Sequence, residues 1–444
     1  MASAAEQLAA NFNFSNLGKA KELRDRIFFT LGMLIIARLG TYIPMPGINP
    51  SAMAHLISQQ QGGLLDMFNM LSGGAVQRMA IFALGIMPYI SSSIIVQLMQ
   101  TVIPELEALK KEGEVGRKQI NQYTRYGTVF LAALQSIGIA FGLEQMGQGI
   151  VIDPGPFFLF TTVITLTGGT ILLMWMGEQV TSRGVGNGIS LIIFVGIVAR
   201  FPTQITQLFE AGRTGSISPF VIFLIFAGAI ILVGFIVFIE RAQRRLLVQY
   251  PKRQVGNRMF GGESSHLPLK LNVSGVIPPI FASSILTVPL TYAAFAGANT
   301  PDWMQTMVAY IGPQQPLYFV LYGGMIMFFA FFYTSIVFNP EETAENLKKY
   351  GGFIPGIRPG KKTAEYIDYV LTRTTCVGAV YLAVVCLIPE FLRRDVTSIL
   401  SLGGTSILII VSVMMDTIAQ IQSHLIAQQY EGLIKKAKLR GARR

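Results

Sequence analysis

The sequence predicts an all-α polytopic membrane protein, with ten transmembrane helices in two inverted, pseudo-symmetric halves of five around a central pore. Three observations carry that expectation: a charge-poor composition, ten apolar stretches of membrane-crossing length, and motifs that recur at an offset of five stretches. Of 444 residues, 51% are hydrophobic and 13% charged, about half the ~25% charge of a soluble domain. Most of the chain therefore needs an apolar solvent. A hydrocarbon core takes roughly 20 residues per crossing, and runs near that length recur along the whole chain, which one buried core does not explain.

The stretches lie at 27–43, 81–103, 124–143, 156–177, 188–201, 219–239, 273–295, 317–338, 374–389 and 403–421. Residues 1–26 hold no apolar core or small-residue cleavage site, so the first stretch is expected to insert as an uncleaved anchor. The expected organisation is a cytoplasmic segment 1–26, an N-terminal half 27–215, a C-terminal half 216–425 and a basic tail 426–444. Cys376 and Cys386 both fall in the ninth stretch. Ten apart on one helix they cannot bridge, and they read as small buried hydrophobes.

Charge sets the orientation. Twenty-nine of the 35 basic residues lie before the first stretch, after every second one, or in the tail. They include Lys19 to Arg26, Lys110 to Arg125, Arg241 to Lys270, Lys348 to Arg373 and Lys435 to Arg444. The opposite side has Arg78, Arg200, Arg213, Arg393 and Arg394. The positive-inside rule puts the rich side, and both termini, in the cytoplasm. Only Arg38 is left, inside the first stretch near its outer end, where a long side chain can snorkel to the interface.

No segment between stretches exceeds about forty residues, too little for an independently stable soluble domain. That excludes an internal ATPase domain. No H-E-x-x-H, G-x-S-x-G or Walker loop is present, so the chain is not expected to be an enzyme and no catalytic residue is nominated. His55, His266 and His424 are far apart at or outside stretch ends, which argues against a metal site, and no cofactor is implied. Gly184, Gly186 and Gly188 follow a membrane helix rather than a strand, so they read as a loop opening the fifth stretch and not as a dinucleotide loop. The stretches carry almost no ionisable group. Glu178, Glu240 and Asp416 sit toward cytoplasmic ends, whereas ion-coupled carriers place charge near the midplane.

Gly85, Ile86, Met87, Pro88, Tyr89, Ile90 and Ser93 in the second stretch match Gly275, Val276, Ile277, Pro278, Pro279, Ile280 and Ser283 in the seventh. Gly188, Ser190 and Ile193 of the fifth match Gly404, Ser406 and Ile409 of the tenth. Tyr126-Gly127 of the third matches Tyr322-Gly323 of the eighth. The offset is five each time, and because five is odd the second half is inverted in the membrane relative to the first. Ile90 pairs with Ile280 and Ile193 with Ile409, with Ile86 and Ile189 one turn away on the same helical faces. A ring of stiff, β-branched side chains would act as a gasket, blocking water and ions yet widening around a bulky object. The alternative is isoleucines that face lipid or neighbouring helices.

Gly62 to Ala80 is half apolar and rich in Gly and Ser, with Leu64, Leu65, Met67, Phe68, Met70, Leu71, Gly73 and Gly74. It is too short to span and is expected to fold inward, since irregular backbone at membrane depth is tolerated only within protein or against a water-filled cavity. Composition alone fits an interfacial loop equally well.

F-A-L-G-I-M-P-Y-I-S at 82–91, Q-Y-T-R-Y-G-T at 122–128, G-E-Q at 177–179, G-N-G-I-S at 186–190, H-L-P-L-K at 266–270, F-N-P at 338–340, P-G-I-R-P-G at 355–360 and G-G-T-S at 403–406 resemble the bacterial SecY family, from about residue 20 to the end. The resemblance implies a passive channel for unfolded polypeptides in the bacterial inner membrane, with a lateral gate to lipid where spans two and three meet seven and eight. It places a pore ring at Ile86, Ile90, Ile189, Ile193, Ile280 and Ile409, and a plug at about 62–80, helical or not. It places polar gate positions, which could equally be helix–helix glue, at Ser91, Gln135 and Asn272. Loops 240–270 and 341–373 would dock a SecA motor or a ribosome through Arg253, Arg258, Arg358, Lys361 and Lys362, although a basic loop can also be only a topology signal. SecE and SecG are the implied companion subunits, and signal sequences and lipid the other partners. Two positions depart from the family pattern: Asn257-Arg258, where some relatives have consecutive arginines, and Pro279, which doubles a proline. The runner-up reading is an inverted-repeat secondary transporter of a small solute.

Overall fold

Proline and glycine decide where most of the helices begin. In the computed structural model, which describes residues 21–59, 69, 72–145, 149–250, 253–255, 258–260, 264–296, 301–312, 315–395 and 404–441, the helices are α1 Lys21–Gly40, α2 Pro50–Gln59, α3 Met87–Val102, α4 Pro104–Lys111, α5 Glu114–Gln145, α6 Pro156–Arg183, α7 Gly188–Val198, α8 Phe201–Arg213, α9 Pro219–Arg241, α10 Ile277–Ala296, α11 Asp302–Ile311, α12 Pro316–Val337, α13 Pro340–Lys349, α14 Lys361–Asp395 and α15 Gly404–Gly441. Pro104, Pro156, Pro219, Pro316 and Pro340 each open a helix, where the missing N–H has no intrahelical partner to lose.

Every expected stretch falls on a helix: α1, α3, α5, α6, α7, α9, α10, α12, α14 and α15. Among the described residues, seven meet the length and apolarity needed to cross a membrane. The other three have evident reasons. The first turns of α1 carry Lys21, Glu22, Arg24, Asp25 and Arg26; α3 has only 16 residues; and the part of α10 with described side chains is the short apolar piece Ile277–Leu286. The second stretch was expected from residue 81, but 81–86 is a series of turns and the helix begins at Met87. Gly85 has φ +57° and Pro88 occupies the first turn, so a helix cannot extend backward through them. Ile86 is consequently the residue before the helix, not a member of its face.

The chain packs as two compact units: residues 1–206 with 289–305 and 413–444, and residues 207–288 with 306–412. In the first, α3 packs on α5, α5 on α6, and α6 on α7, with α1 against α6 and α7. Small residues let these helices approach. The Ser92 hydroxyl donates to the Thr124 carbonyl across α3 and α5 at 2.7 Å, and a Cβ on Gly127 would sit 2.3 Å from that hydroxyl. The 184–188 loop is tied down as the glycines suggest. Asn187 caps α7 by accepting from Ile189 N and Ser190 N. Val185 N donates to Thr30 Oγ1 at 3.0 Å and Gly186 N to Gln420 Oε1 at 2.9 Å. Leu23, Val185 and Leu425 form a small buried cluster beneath it.

The second unit carries the strands. β1 Gln243–Gln249 pairs antiparallel with β4 Ser264–Lys270, from Gln243 opposite Lys270 to Gln249 opposite Ser264, and β2 Arg253–Val255 pairs with β3 Arg258–Phe260. Gln249 exchanges both backbone hydrogen bonds with Phe353 at 2.9 and 3.0 Å. Leu246 and Leu269 from this ribbon bury against Ile354 and Ile367, so the 240–270 arm shares one core with the start of α14. α14 packs along α12 and α13. α9 has only 11% of its most apolar stretch buried, with Phe220, Ile230 and Phe238 facing outward, as a helix solvated by lipid should. Of the two cysteines on α14, both free, Cys386 is buried as expected. Cys376 is exposed, which corrects the expectation that both are buried.

Candidate functional site

The repeat seen in the sequence has a local structural counterpart. Gly85 and Gly275 both adopt left-handed backbone, φ +57° and +63°, and two residues later α3 and α10 begin, at Met87 and Ile277. Gly188 and Gly404 are both first residues of their helices, and each is pressed onto a carbonyl of the preceding span. A Cβ would lie 2.0 Å from the Gly177 oxygen in one case and 2.2 Å from the Val385 oxygen in the other. Two motif pairs thus specify the same two local geometries twice.

Of the six isoleucines, Ile86, Ile90 and Ile409 are buried and Ile189, Ile193 and Ile280 half-buried. Ile90 closes the first turn of α3 onto Ile86, its N–H donating to the Ile86 carbonyl at 3.1 Å. Ile189 packs against Gly177 of α6, its Cγ1 2.9 Å from where a Cβ there would be.

Of the inward-folding segment, Leu64, Leu65, Met67, Phe68, Met70 and Leu71 lie outside the described residues. Asn69 and residues 72–80 form a tight knot. Gly74 N donates to the Asn69 carbonyl at 2.8 Å, and Gln77 N to Asn69 Oδ1 at 2.9 Å. Val76–Arg78 is a 3-10 turn ending in Met79 with φ 45°. The Met79 carbonyl accepts from Met45 N at 2.9 Å, and Ala80 bridges Pro44. Gly73, Gly74, Ala75, Val76, Met79 and Ala80 are all buried. Gly73 sits between two membrane helices: a Cβ there would be 2.9 Å from the Gly196 Cα of α7 and 3.3 Å from an Arg38 guanidinium nitrogen of α1. The described part of this segment is therefore packed against α1 and α7.

Ser91 and Gln135 are half-buried on α3 and α5. Asn272 is buried and fully engaged before α10. Its Nδ2 donates to Glu240 Oε1 at 2.7 Å and to the Gly275 carbonyl at 3.1 Å, while Oδ1 accepts from Ser274 Oγ and Gly275 N. It ties the end of α9, the β ribbon and the start of α10 together. Glu178 on α6 forms a two-bond fork with Arg125 of α5, at 2.8 and 2.7 Å.

In the 341–373 loop, Arg358 is exposed between Gly356 (φ +81°) and Gly360 (φ +102°), and its carbonyl accepts from Thr363 Oγ1 at the start of α14. Ile354, buried with Ile357 packed beside it, anchors the turn from below. Lys361 and Lys362 are exposed; Lys362 pairs with Glu365 at 2.8 Å. Hydrogen bonding by that carboxylate raises the Lys362 ammonium above its ordinary value and lowers Glu365 below its own. Arg253 and Arg258 lie on β2 and β3, Arg253 opposite Phe260 and Arg258 opposite Val255. Among the described residues no group of three or more His, Cys, Asp or Glu could hold a metal ion. One residue escaped nomination: Arg38, whose partners are within the protein, although a charge inside an apolar stretch was itself the signal.

The SecY family model matches residues 80–418. The protein translocase subunit SecY of Rickettsia bellii is 55% identical over 433 residues, 97% of this chain and all of that protein. The Escherichia coli K12 protein of the same name is 54% identical over 96% of both chains. Two solved structures share the fold: "The structure of a protein conducting channel", at TM-score 0.65 and 16% identity over 91% of this chain and 93% of that one, and "Sec61 in the Canine ribosome-channel complex from the endoplasmic reticulum", at 0.60 and 16% over the same shares. With ten membrane helices, a five-span repeat and identity above one half over nearly its whole length, the chain belongs to the SecY family of protein translocase subunits, whose fold is that of a protein-conducting channel.

Proposed function

We propose that this subunit conducts unfolded polypeptides passively across the bacterial inner membrane and releases membrane segments sideways into lipid, with both of its termini in the cytoplasm. The two halves, 27–215 and 216–425, bound the path; Ile86, Ile90, Ile189, Ile193, Ile280 and Ile409 form its constriction; and the segment at 62–80 is the plug. The observation that carries this reading is the burial of Gly73, Gly74, Ala75, Val76, Met79 and Ala80 within the first helical unit. A buried, non-spanning insert gives a wide pore something to retract. A small-solute carrier needs ionisable groups free to bind its ion, whereas Glu178 is held in its fork by Arg125.

No residue in this scheme is catalytic. Energy comes from outside: a SecA motor or a ribosome docks on the 240–270 and 341–373 loops, with Arg253, Arg258, Arg358, Lys361 and Lys362 as the basic contacts, and SecE and SecG complete the complex. Ser91, Gln135 and Asn272 line the lateral gate, where short polar side chains can exchange partners as a signal sequence enters. The test places a cysteine at Ile90 or Ile280 and stalls a secretory chain, itself bearing one cysteine, during export. A disulfide between the two is expected; its absence at both positions would refute the ring. Arg358→Glu is expected to abolish motor-driven export while leaving the protein inserted.

A further inference from the structure

Arg38 carries a full charge within a membrane helix, a placement that needs an explanation in partners. On α1 its Nη1 donates to the Gly73 carbonyl and its Nη2 to the Tyr42 hydroxyl at 3.2 Å. Its guanidinium lies 5.0 Å from the centre of the Tyr42 ring. Arg78 stacks on the same ring at 4.1 Å. Tyr42 lies two residues past the end of α1, in a turn closed by its own N–H on the Leu39 carbonyl. Gly73 and Arg78 both belong to the knot described above. The end of α1 therefore grips that knot at two points, one by a charge-assisted hydrogen bond to backbone and one by a cation–π stack.

We propose that Arg38 and Tyr42 are a latch that holds residues 73–78 in the sealed position, and that the channel opens by releasing it. The proposal rests on the plug reading above. The latch suits a seal that must hold and then let go. Its grip on Gly73 is a single polar contact to a carbonyl, and the ring stack is side chain on side chain, so letting go of the grip breaks no helix. Arginine is required because one planar fork serves the carbonyl and the phenol together, which a point-charge ammonium does not. Arg38 is a positioning residue: it touches the seal and not the translocating chain.

The full-length chain with its companion subunits is reconstituted into vesicles, and iodide efflux at rest is measured beside motor-driven export of a precursor. Arg38→Gln is expected to raise resting efflux about tenfold, the weight of one charge-assisted hydrogen bond, and to let a precursor with a defective signal sequence through. Arg38→Lys is expected to fall between. A charge needed only for topology would be fully replaced by lysine, so the Lys variant separates the two roles. Tyr42→Leu, which removes the stack but no charge, is expected to leak as well. Wild-type efflux in Arg38→Gln at equal insertion overturns the latch, as does full restoration by Arg38→Lys. Failure of both Arg38 variants to insert makes the residue a folding determinant and overturns it too. If wild-type vesicles neither export nor conduct around a stalled chain, the channel reading fails instead.

Discussion

Gly188→Ala adds one methyl group, and the structure says where it goes. The new Cβ would lie 2.0 Å from the Gly177 oxygen, 2.8 Å from that residue's carbonyl carbon and 2.8 Å from the Val180 Cβ. Ordinary contact begins at 3.4 Å, so the first turn of α7 must retreat by about 1.4 Å, the difference between 3.4 and 2.0 Å. It is not free to do so. Gly188 N donates to Thr181 Oγ1 at 2.9 Å, and Asn187 holds Ile189 N and Ser190 N. Breaking one or two of these costs about 1 kcal/mol each, on top of about 1–3 kcal/mol for overpacking, giving roughly 2–5 kcal/mol. The same displacement moves Ile189 and Ile193. Thermal unfolding in detergent, with resting ion efflux in vesicles, reads both effects. Gly168→Ala is the control: it lies on α6 with nothing within 4 Å of its Cβ, and alanine there gains up to about 1 kcal/mol of helix propensity. Gly404→Ala, at 2.2 Å from the Val385 oxygen, is expected to match Gly188→Ala. Equal stability of the Gly188 and Gly168 variants would refute the reasoning.

Asn272→Ala should destabilise by about 2–4 kcal/mol, because a buried amide making four hydrogen bonds is lost. Asn272→Asp should be worse, since it turns the donor to Glu240 into a second carboxyl group, and unfolding midpoints of the two variants test the order. The Arg125–Glu178 fork, with side chains 48% and 28% exposed, is expected to show a coupling of no more than about 1 kcal/mol in a double-mutant cycle. Glu107 and Glu365 both titrate below the usual carboxylate range, each through a hydrogen bond from a lysine, Lys111 and Lys362. A lowered folded value means the pairs favour the folded loop above the ordinary carboxylate range and lose that contribution as pH falls through the lowered one. The matching rise of Lys362 gives a contribution present below the ordinary lysine value and lost as pH climbs through the raised one. Carbon-13 titration of Glu365 in Lys362→Ala is expected to return it toward the ordinary range.

Ten helices were legible because a bilayer imposes one length and one chemistry on each crossing, and no other constraint in the chain is so uniform. The repeat was legible for a different reason: Gly85, Gly275, Gly188 and Gly404 each meet a local backbone demand that few residues satisfy, so the demand appears in the sequence wherever the geometry does. The start of α3 was misplaced because hydropathy continues through 81–86 while helix geometry does not; Gly85 and Pro88 held the information. The β ribbon went unread. Leu246 and Val248 alternate with outward residues, as a strand requires, but Arg244, Arg245 and Pro268 hid so short a signal. The inward fold of 72–80 and its attachment to Arg38 depend on residues 35 apart in sequence, a proximity that no local pattern encodes.

The two left-handed glycines just ahead of α3 and α10 have a mechanical consequence. A helix that starts at a glycine-and-proline corner hangs from a joint with a wide range of backbone angles and with few main-chain donors to rupture. Each such helix can swing as a rigid rod about its own corner, its interior ladder intact, and return. Because the corner occurs twice, Gly85 and Gly275 supply a pair of matched pivots, one per half. A passage that opens for a polypeptide and closes again can do so by rotation at two points, without melting anything in between.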